Sequence, residues 1–256
     1  MKLTILGCGA SGGVPQIGGQ DGQGDWGQCD PTEPRNRRMR ASVLVEQGPT
    51  RILVDTSPDL RAQSLRFGIT KVDAVLYTHD HADHTHGIDE LRRYHYVSRR
   101  PVQIWADRAT YTSLTSRFQY AFEPEDPGYR PFAAASVIEG PFTVGEIVVT
   151  PFPQMHGNVT SLGFRFGPIA YSTDFVDLPP ESIDILRGVK VWVVDSLKRD
   201  PHPTHANVAT ALRLLEKVRP ERGILTHMTG GLDYRTLAAE LPDWIEPAYD
   251  GLTIEA

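Results

Sequence analysis

Residues 78–84 read Thr-His-Asp-His-Ala-Asp-His, and they constrain this chain more than any other stretch. They follow an apolar run that is typical of a buried strand. Side chains at i and i+2 of an extended segment point the same way, so His79 and His81 can bind one metal. Asp83 and His84 then turn towards a neighbouring position. Imidazole and carboxylate ligands together suit zinc, manganese or iron, so the stretch predicts half of a two-metal site.

A potential ligand follows a predicted strand at three later positions. These are His156 after the strand at 146–152, Asp174 after the strand at 169–173, and His227 after the strand at 223–226. A single loop histidine is more often an ordinary surface or core residue, but the earlier cluster needs further ligands. Asp174 could instead be a cap or turn residue. We favour a bridging carboxylate, because two metals about 3.5–4 Å apart need an anion between them.

The composition limits the class of protein. A chain of 256 residues that is 40% hydrophobic can bury a sizeable core, and we expect a single domain over residues 1–256. The net charge of −6 argues against an extended nucleic acid or an anionic membrane as partner. Cys8 and Cys29 are too few for a disulfide framework. With no long apolar run or signal peptide, the prediction is a cytoplasmic protein.

A glycine-rich segment follows the first predicted strand. Residues 7–12 match the G-x-G-x-x-G pattern of dinucleotide-binding proteins. That pattern requires a helix to begin in the segment, and Gly13 and Pro15 oppose one. A tight turn that closely approaches the metal site is the better interpretation.

Residues 16–40 form a long polar stretch without periodicity, which predicts an inserted loop or lid near the site. Its end contains four arginines within residues 35–40. A solvated charge run and an anion-binding group are both open. Because planar guanidinium groups suit phosphate, we take Arg37, Arg38 and Arg40 as candidate substrate contacts.

The remaining pattern indicates an α/β (α+β) fold. A hairpin is predicted over residues 41–56, with helices over 58–67, 88–97, 108–120 and 206–218 and further short strands in between. Residues 122–131 are a candidate second lid. The order of strands and helices suggests two packed sheets with helices outside.

The motif His79-x-His81-x-Asp83-His84, followed in order by His156, Asp174 and His227, resembles the signature of metallo-β-lactamase superfamily hydrolases. The resemblance implies a four-layer αβ/βα sandwich with two divalent metal ions, zinc or manganese, at one edge. The set that it assigns to the first metal is His79, His81 and His156. The set for the second is Asp83, His84 and His227, with Asp174 bridging. Asp55 matches an aspartate that orients a ligand histidine.

Further motifs resemble the phosphodiesterases that open phosphoribosyl cyclic phosphate in phosphonate degradation. The matching stretches are residues 12–15, 86–91 and 225–228. The resemblance implies that His205 is the proton donor. We take Asp83 as catalytic too and expect His86 beside the ligands. That group also has clustered cysteines for a structural zinc, whereas this chain offers only Cys29 there.

These residues predict a metal-dependent phosphodiesterase that acts on a small phosphorylated, nucleotide-like substrate. Two cations lower the pKa of a shared water, and the resulting hydroxide attacks phosphorus while His205 protonates the leaving group. Three alternatives share the scaffold: a tRNA-processing nuclease, a thioester hydrolase of the glyoxalase II type, and a non-hydrolytic cofactor-biosynthesis protein. The net charge disfavours the nuclease. A homodimer is left open.

Overall fold

The computed structural model describes residues 1–124 and 130–256. In chain order, the strands of this part are β1 (Lys2–Gly7), β2 (Ser42–Gln47), β3 (Thr50–Val54), β4 (Ala74–Leu76), β5 (Val102–Ala106), β6 (Ala133–Val137), β7 (Phe142–Val144), β8 (Ile147–His156), β9 (Val159–Phe166), β10 (Ile169–Ser172), β11 (Val191–Asp195), β12 (Arg222–Thr226), β13 (Ile245–Pro247) and β14 (Thr253–Glu255). The helices are α1 (Leu60–Arg66), α2 (Ala82–Thr85), α3 (Leu91–Ser98), α4 (Arg108–Arg117), α5 (Gln119–Phe122), α6 (Pro180–Leu186), α7 (Val208–Val218) and α8 (Tyr234–Glu240).

The strands form two seven-stranded sheets of similar layout. The first has the order β14-β1-β2-β3-β4-β5-β6, and the second has the order β13-β12-β11-β10-β9-β8-β7. Strands β3 to β6 of the first sheet run parallel to one another, as do β10 to β13 of the second. The other pairs are antiparallel. Each sheet is therefore mixed, and helices connect the successive strands of its parallel part.

Alternation along the strands of the first sheet builds two core layers. In β3, Ile52 and Val54 face the second sheet, whereas Leu53 faces the outer helices. Leu60 of α1 and Leu91 of α3 belong to that outer layer. Because successive side chains of a strand point to opposite faces, each strand serves both layers. This confirms the predicted sandwich of two sheets with helices outside.

Helix α7 shows how local sequence sets an element of the outer layer. Asn207 caps its first turn by accepting a hydrogen bond from the Thr210 N–H at 2.9 Å. Four apolar side chains at helical spacing are buried: Ala211, Leu214, Leu215 and Val218. Arg219 ends the helix in the left-handed region, and Pro220 cannot continue it.

The structure corrects several predicted boundaries. The strand expected to end near residue 152 continues to His156, so this histidine ends a strand and does not lie in a loop beyond it. Pro151 and Pro153 are tolerated there because β7 pairs only with residues 147–149 and the bridge to Asp177 is at Met155, so neither proline has to donate on that edge. The predicted helix over 88–97 divides into a short 3₁₀ turn and α3.

Four short elements were not predicted from the sequence: α6, α8, β13 and β14, which have three to seven residues each. Residues 125–129 of the predicted second lid lie outside the described residues. Within the described residues, none of the helices is long and apolar enough to cross a membrane.

Candidate metal centre

The site lies where the carboxyl ends of parallel strands from both sheets meet. Asp55 follows β3 directly, Asp174 lies two residues beyond β10, and His227 follows β12. All three adopt positive φ angles, of 63°, 56° and 59°. Aspartate and histidine are among the non-glycine residues that most often adopt this left-handed conformation. The backbone thus turns sharply at each strand end and leaves a polar side chain at the shared edge.

The first group of potential ligands consists of His79, His81, His156 and Asp174, whose ligand atoms lie within 4.8 Å of one another. His156 Nε2 lies 3.4 Å from His81 Nδ1, and His79 Nε2 lies 3.9 Å from Asp174 Oδ1. His156 Nδ1 donates to the Thr204 carbonyl at 2.8 Å, which leaves its Nε2 facing the group.

The second group consists of Asp83, His84 and His227. His84 Nε2 lies 3.3 Å from Asp83 Oδ2 and 3.1 Å from Asp174 Oδ2. His227 Nε2 lies 3.3 Å from the same Asp174 oxygen. Asp174 therefore presents Oδ1 to the first group and Oδ2 to the second. This is the geometry that a bridging carboxylate requires.

Asp55 contacts the cluster through His84 and through Thr78. Its Oδ2 lies 2.7 Å from His84 Nδ1, and its two oxygens accept from the Thr78 N–H and hydroxyl at 2.9 Å each. Thr78 Oγ1 is in turn 3.0 Å from His79 Nδ1. Asp55 thus has the contact expected of a carboxylate that orients a ligand histidine.

Asp195 is a site residue that the sequence interpretation missed. It is fully buried at the end of β11. Its Oδ2 accepts from the Phe175 N–H and lies 3.1 Å from His205 Nδ1, while its Oδ1 lies 3.6 Å from His227 Nδ1. The criterion that found Asp174, a polar residue at a strand end, would have found Asp195 as well.

Burial and nearby carboxylates divide the histidines into two classes. Burial lowers the pKa of His79 well below its ordinary value, and His84 adds to the effect. Burial also acts against the charged form of His84, but Asp174 and Asp55 outweigh it and hold its pKa well above the ordinary value. Burial is likewise outweighed at His227, whose pKa Asp174 raises to about 10.

The pKa values of two carboxylates of the cluster, Asp83 and Asp174, are lowered. Burial would raise the pKa of Asp83, but His84 and His227 outweigh it and keep that pKa below the ordinary value. The same two histidines hold the pKa of Asp174 well below its ordinary value against complete burial. The cluster therefore offers both anionic oxygens and imidazole nitrogens at one place.

The residues fit a divalent cation. The Nε2 atoms of His79 and His227 are buried without a hydrogen-bond partner among the described residues, as is His84 Nε2, which is not aligned for a bond to Asp174. Buried nitrogens without partners are costly unless something binds them. A mixture of imidazole and carboxylate suits zinc and also admits manganese.

A polar cavity of about 240 Å³ opens above the cluster. The glycine-rich turn supplies part of its wall through Ala10, Ser11 and Gly12, which confirms that this turn approaches the site. Gly13 has a φ of 65°, a conformation that glycine adopts without strain. The remaining lining residues are Gln16, His81, Asp83, Asp174, Leu197, His202, His205, His227 and Thr229.

His205 lies on the cavity wall with its side chain 13% exposed. Its Nδ1 faces Asp195, at 3.1 Å, more closely than Asp174, at 3.7 Å. The ring stacks on His227 with 5.0 Å between centroids. His205, Asp174 and His227 also form a third group with ligand-capable spacing.

The three candidate arginines have different surroundings. The prediction for Arg38 is wrong, because its side chain is 2% exposed and its guanidinium donates to the Thr229 and Leu232 carbonyls at 3.0 and 2.6 Å. Arg40 forms an ion pair of 2.7 Å with Asp59. Arg37 is exposed and stacks over Trp26 at 4.9 Å. None of the three lines the cavity in the described part of the chain.

His86 also differs from its prediction. It is exposed, and its Nε2 lies 2.8 Å from the Arg117 guanidinium. Its ring packs edge-on against Phe118. His86 caps the C-terminal end of α2, and within the described residues its side chain contacts Arg117 and Phe118 and not a candidate ligand.

A family model agrees with this geometry. The model described as "Beta-lactamase superfamily domain" matches residues 50–228, which contain all seven predicted ligands. The chain belongs to the beta-lactamase superfamily. Members of this superfamily are largely hydrolytic metalloenzymes, and the His/Asp cluster is a plausible metal-binding site of that kind.

Relatives of this superfamily member include both solved and curated proteins. A structure described as a new diphosphatase from the PhnP family is 33% identical, with a TM-score of 0.88 and coverage of 100% of this chain and 97% of that one. Zn(2+)-bound PqqB from Methylobacterium extorquens shares the fold, at 17% identity, a TM-score of 0.78 and full coverage of both chains.

A curated octanoyltransferase of Porphyromonas gingivalis (strain ATCC BAA-308 / W83) is 31% identical over 257 aligned residues. The alignment covers 98% of this chain and 51% of that protein. The chain thus spans about half the length of this relative.

Proposed function

We propose that this protein is a dinuclear metal-dependent phosphodiesterase that opens a small cyclic phosphate or a nucleotide-like phosphodiester. One observation carries the proposal. Asp174 presents separate oxygens to two ligand groups at the base of a polar cavity, with His205 on the wall. Two cations that share a carboxylate are the arrangement used for in-line displacement at phosphorus.

Each metal would have its own set of residues. His79, His81 and His156 would hold the first, and Asp83, His84 and His227 the second, with Asp174 between them. When bound, the two cations would supply an acidified water as nucleophile and neutralise charge on the phosphate oxygens.

The chain's own side chains would handle the protons. Asp195 holds His205 Nδ1, so Nε2 is the nitrogen left to protonate the departing alkoxide. Asp83 lines the same cavity, so its carboxylate would lie where it can accept a proton from the attacking water. Its lowered pKa favours its other role, that of a metal ligand.

The charges around the cavity support a substrate with few negative charges. Its lining residues in the described chain include no lysine or arginine. Ser11, Gln16, Thr229 and His202 offer neutral hydrogen-bonding groups instead. A phosphodiester carries one negative charge, whereas a phosphomonoester carries close to two near neutral pH. We therefore propose a preference for diesters.

The test is a panel assay with protein reconstituted with zinc or manganese. Bis-p-nitrophenyl phosphate, cyclic nucleotides and phosphoribosyl cyclic phosphate represent diesters, p-nitrophenyl phosphate represents monoesters, and an octanoyl thioester represents acyl substrates. We expect kcat/KM for the diesters to exceed that for the monoester by at least about tenfold, since 1.4 kcal/mol of discrimination suffices. Thioester turnover without diester turnover would overturn the proposal.

The octanoyltransferase relative favours one second candidate, a thioester hydrolase. Such an enzyme could use the same seven ligands and differ only in its substrate pocket. The lining argues against it, because Ala10 and Leu197 are the only aliphatic residues among its described members, whereas an eight-carbon acyl chain needs an apolar pocket. The thioester arm of the panel measures this candidate directly.

A further inference from the structure

Arg117, the last residue of α4, lies outside the metal centre but grips the stretch that carries four of its ligands. One guanidinium nitrogen, NH1, donates to the Asp80 carbonyl at 2.7 Å. The other, NH2, lies 2.8 Å from His86 Nε2 and 3.3 Å from the Thr85 hydroxyl. Its contacts thus fall on backbone and side chains between and beside the ligands.

The positions of these contacts matter for the ligands. The Asp80 carbonyl belongs to the residue between His79 and His81, so its hydrogen bond fixes the backbone between two ligands. Thr85 follows His84, and its hydroxyl donates to the His81 carbonyl at 2.9 Å. Arg117 therefore links both ends of the short α2 helix through one planar group.

Arg117 restrains this stretch through hydrogen bonds more than through an ion pair. The nearest carboxylate, Asp80 Oδ2, lies 3.7 Å from Arg117 NH1, and the two side chains are 44% and 34% exposed. An exposed pair of that length contributes little. Charge-assisted hydrogen bonds to a carbonyl and an imidazole contribute more, and they fix direction.

We propose that Arg117 is a positioning residue that sets the affinity of the site for its metal ions. It holds His79 and His81 in register with each other and with α2, although it touches none of the seven ligand side chains in the described structure. Residues that support metal ligands typically affect affinity by about 10–100-fold when they are removed. The inference rests on the metal site of the proposed function and not on the identity of the substrate.

The experiment measures zinc affinity of the full chain by competition with a fluorescent chelator. We expect Arg117→Ala to weaken zinc binding by about 10–100-fold and Arg117→Gln by less, because Gln retains one donor group. Arg108→Ala is the matched control. Arg108 is the first residue of the same helix, is 72% exposed and lies 3.8 Å from Glu139. The zinc affinity of the Arg108→Ala variant should therefore stay within about twofold of the wild type.

Thermal unfolding of the metal-free variants shows whether the fold is intact. Weaker zinc binding by Arg117→Gln, with an apo Tm close to that of Arg108→Ala, would support the proposal. Wild-type affinity in both Arg117 variants would overturn it, and so would an affinity loss fully matched by loss of the apo fold in both. Zinc binding is measured without substrate, so a variant series that follows the expectation while no phosphodiester is hydrolysed would defeat only the proposed function.

Discussion

At the scale of single residues, His205 is held between the Asp195 carboxylate and the ring of His227, a candidate ligand. Asp195 Oδ2 is 3.1 Å from its Nδ1, and its ring stacks on that of His227. A carboxylate on one ring nitrogen fixes the orientation of the other, as in known acid–base pairs. Asp55 makes the same kind of contact with His84, a candidate metal ligand, so metal content is the measurement that separates the two roles of His205.

We expect His205→Ala to lower kcat by about 10²–10⁴-fold, because the leaving group would lose its proton source. Metal content, measured by elemental analysis, should stay at the wild-type level. His202→Ala is the comparison, since its ring lies 5.2 Å from that of His205 on the same cavity wall. It should raise KM more than it lowers kcat. Loss of metal from the His205 variant would make this residue a ligand instead.

Some residues of the site could be placed from the sequence, and others could not. The grouping of the seven candidate ligands with Asp55 could be predicted, because each of them lies at or just beyond a strand, in a cluster or in a motif. The role of Arg38 was not accessible. Its burial depends on the carbonyls of Thr229 and Leu232, about 190 residues away along the chain, and nothing in residues 35–40 distinguishes it from its exposed neighbour Arg37.

At the scale of elements, the segment of residues 16–40 is tied to the start of α8. Asn36 Nδ2 donates to Asp233 Oδ2 at 2.6 Å. Glu33 is 1% exposed and forms ion pairs with Arg35 and Arg235. These contacts anchor the later half of the segment, while Gln16 at its beginning lines the cavity.

Arg38→Met should therefore destabilise the protein by about 3 kcal/mol or more, because two buried carbonyls lose their donor. Arg37→Met should change the free energy of unfolding by less than about 0.5 kcal/mol, as is usual at exposed positions. Urea unfolding of both variants checks the pair. Equal stabilities would show that the buried guanidinium does not anchor the segment.

At the scale of the whole molecule, the order of strands and helices along the sequence was enough to predict two sheets with helices outside. The order of strands within each sheet was not predictable, since pairing such as that of β1 with β14 joins residues about 250 positions apart. The short elements β13, β14 and α8 were missed because three to seven residues show too little periodicity.

Metal ions at the junction of the two sheets should stabilise the entire fold. Ligand at about a thousandfold excess over its Kd adds about 4 kcal/mol, which corresponds to a rise in Tm on the order of 10 °C for a chain of this size. Scanning fluorimetry with EDTA, and again after zinc is restored, measures the difference. His79→Ala should respond much less to either treatment. A wild-type Tm that EDTA leaves unchanged would contradict a bound structural or catalytic metal.

The left-handed backbone at Asp55, Asp174 and His227 has a consequence for how such a protein could change over generations. A non-glycine residue in this conformation typically costs on the order of 1 kcal/mol, with aspartate and histidine at the lower end. Glycine would relieve this strain, but at Asp55 it would also leave the buried Thr78 N–H and hydroxyl without their acceptor, which costs more. The polar contacts of the side chain, and not the backbone preference, therefore decide which residue such a position keeps.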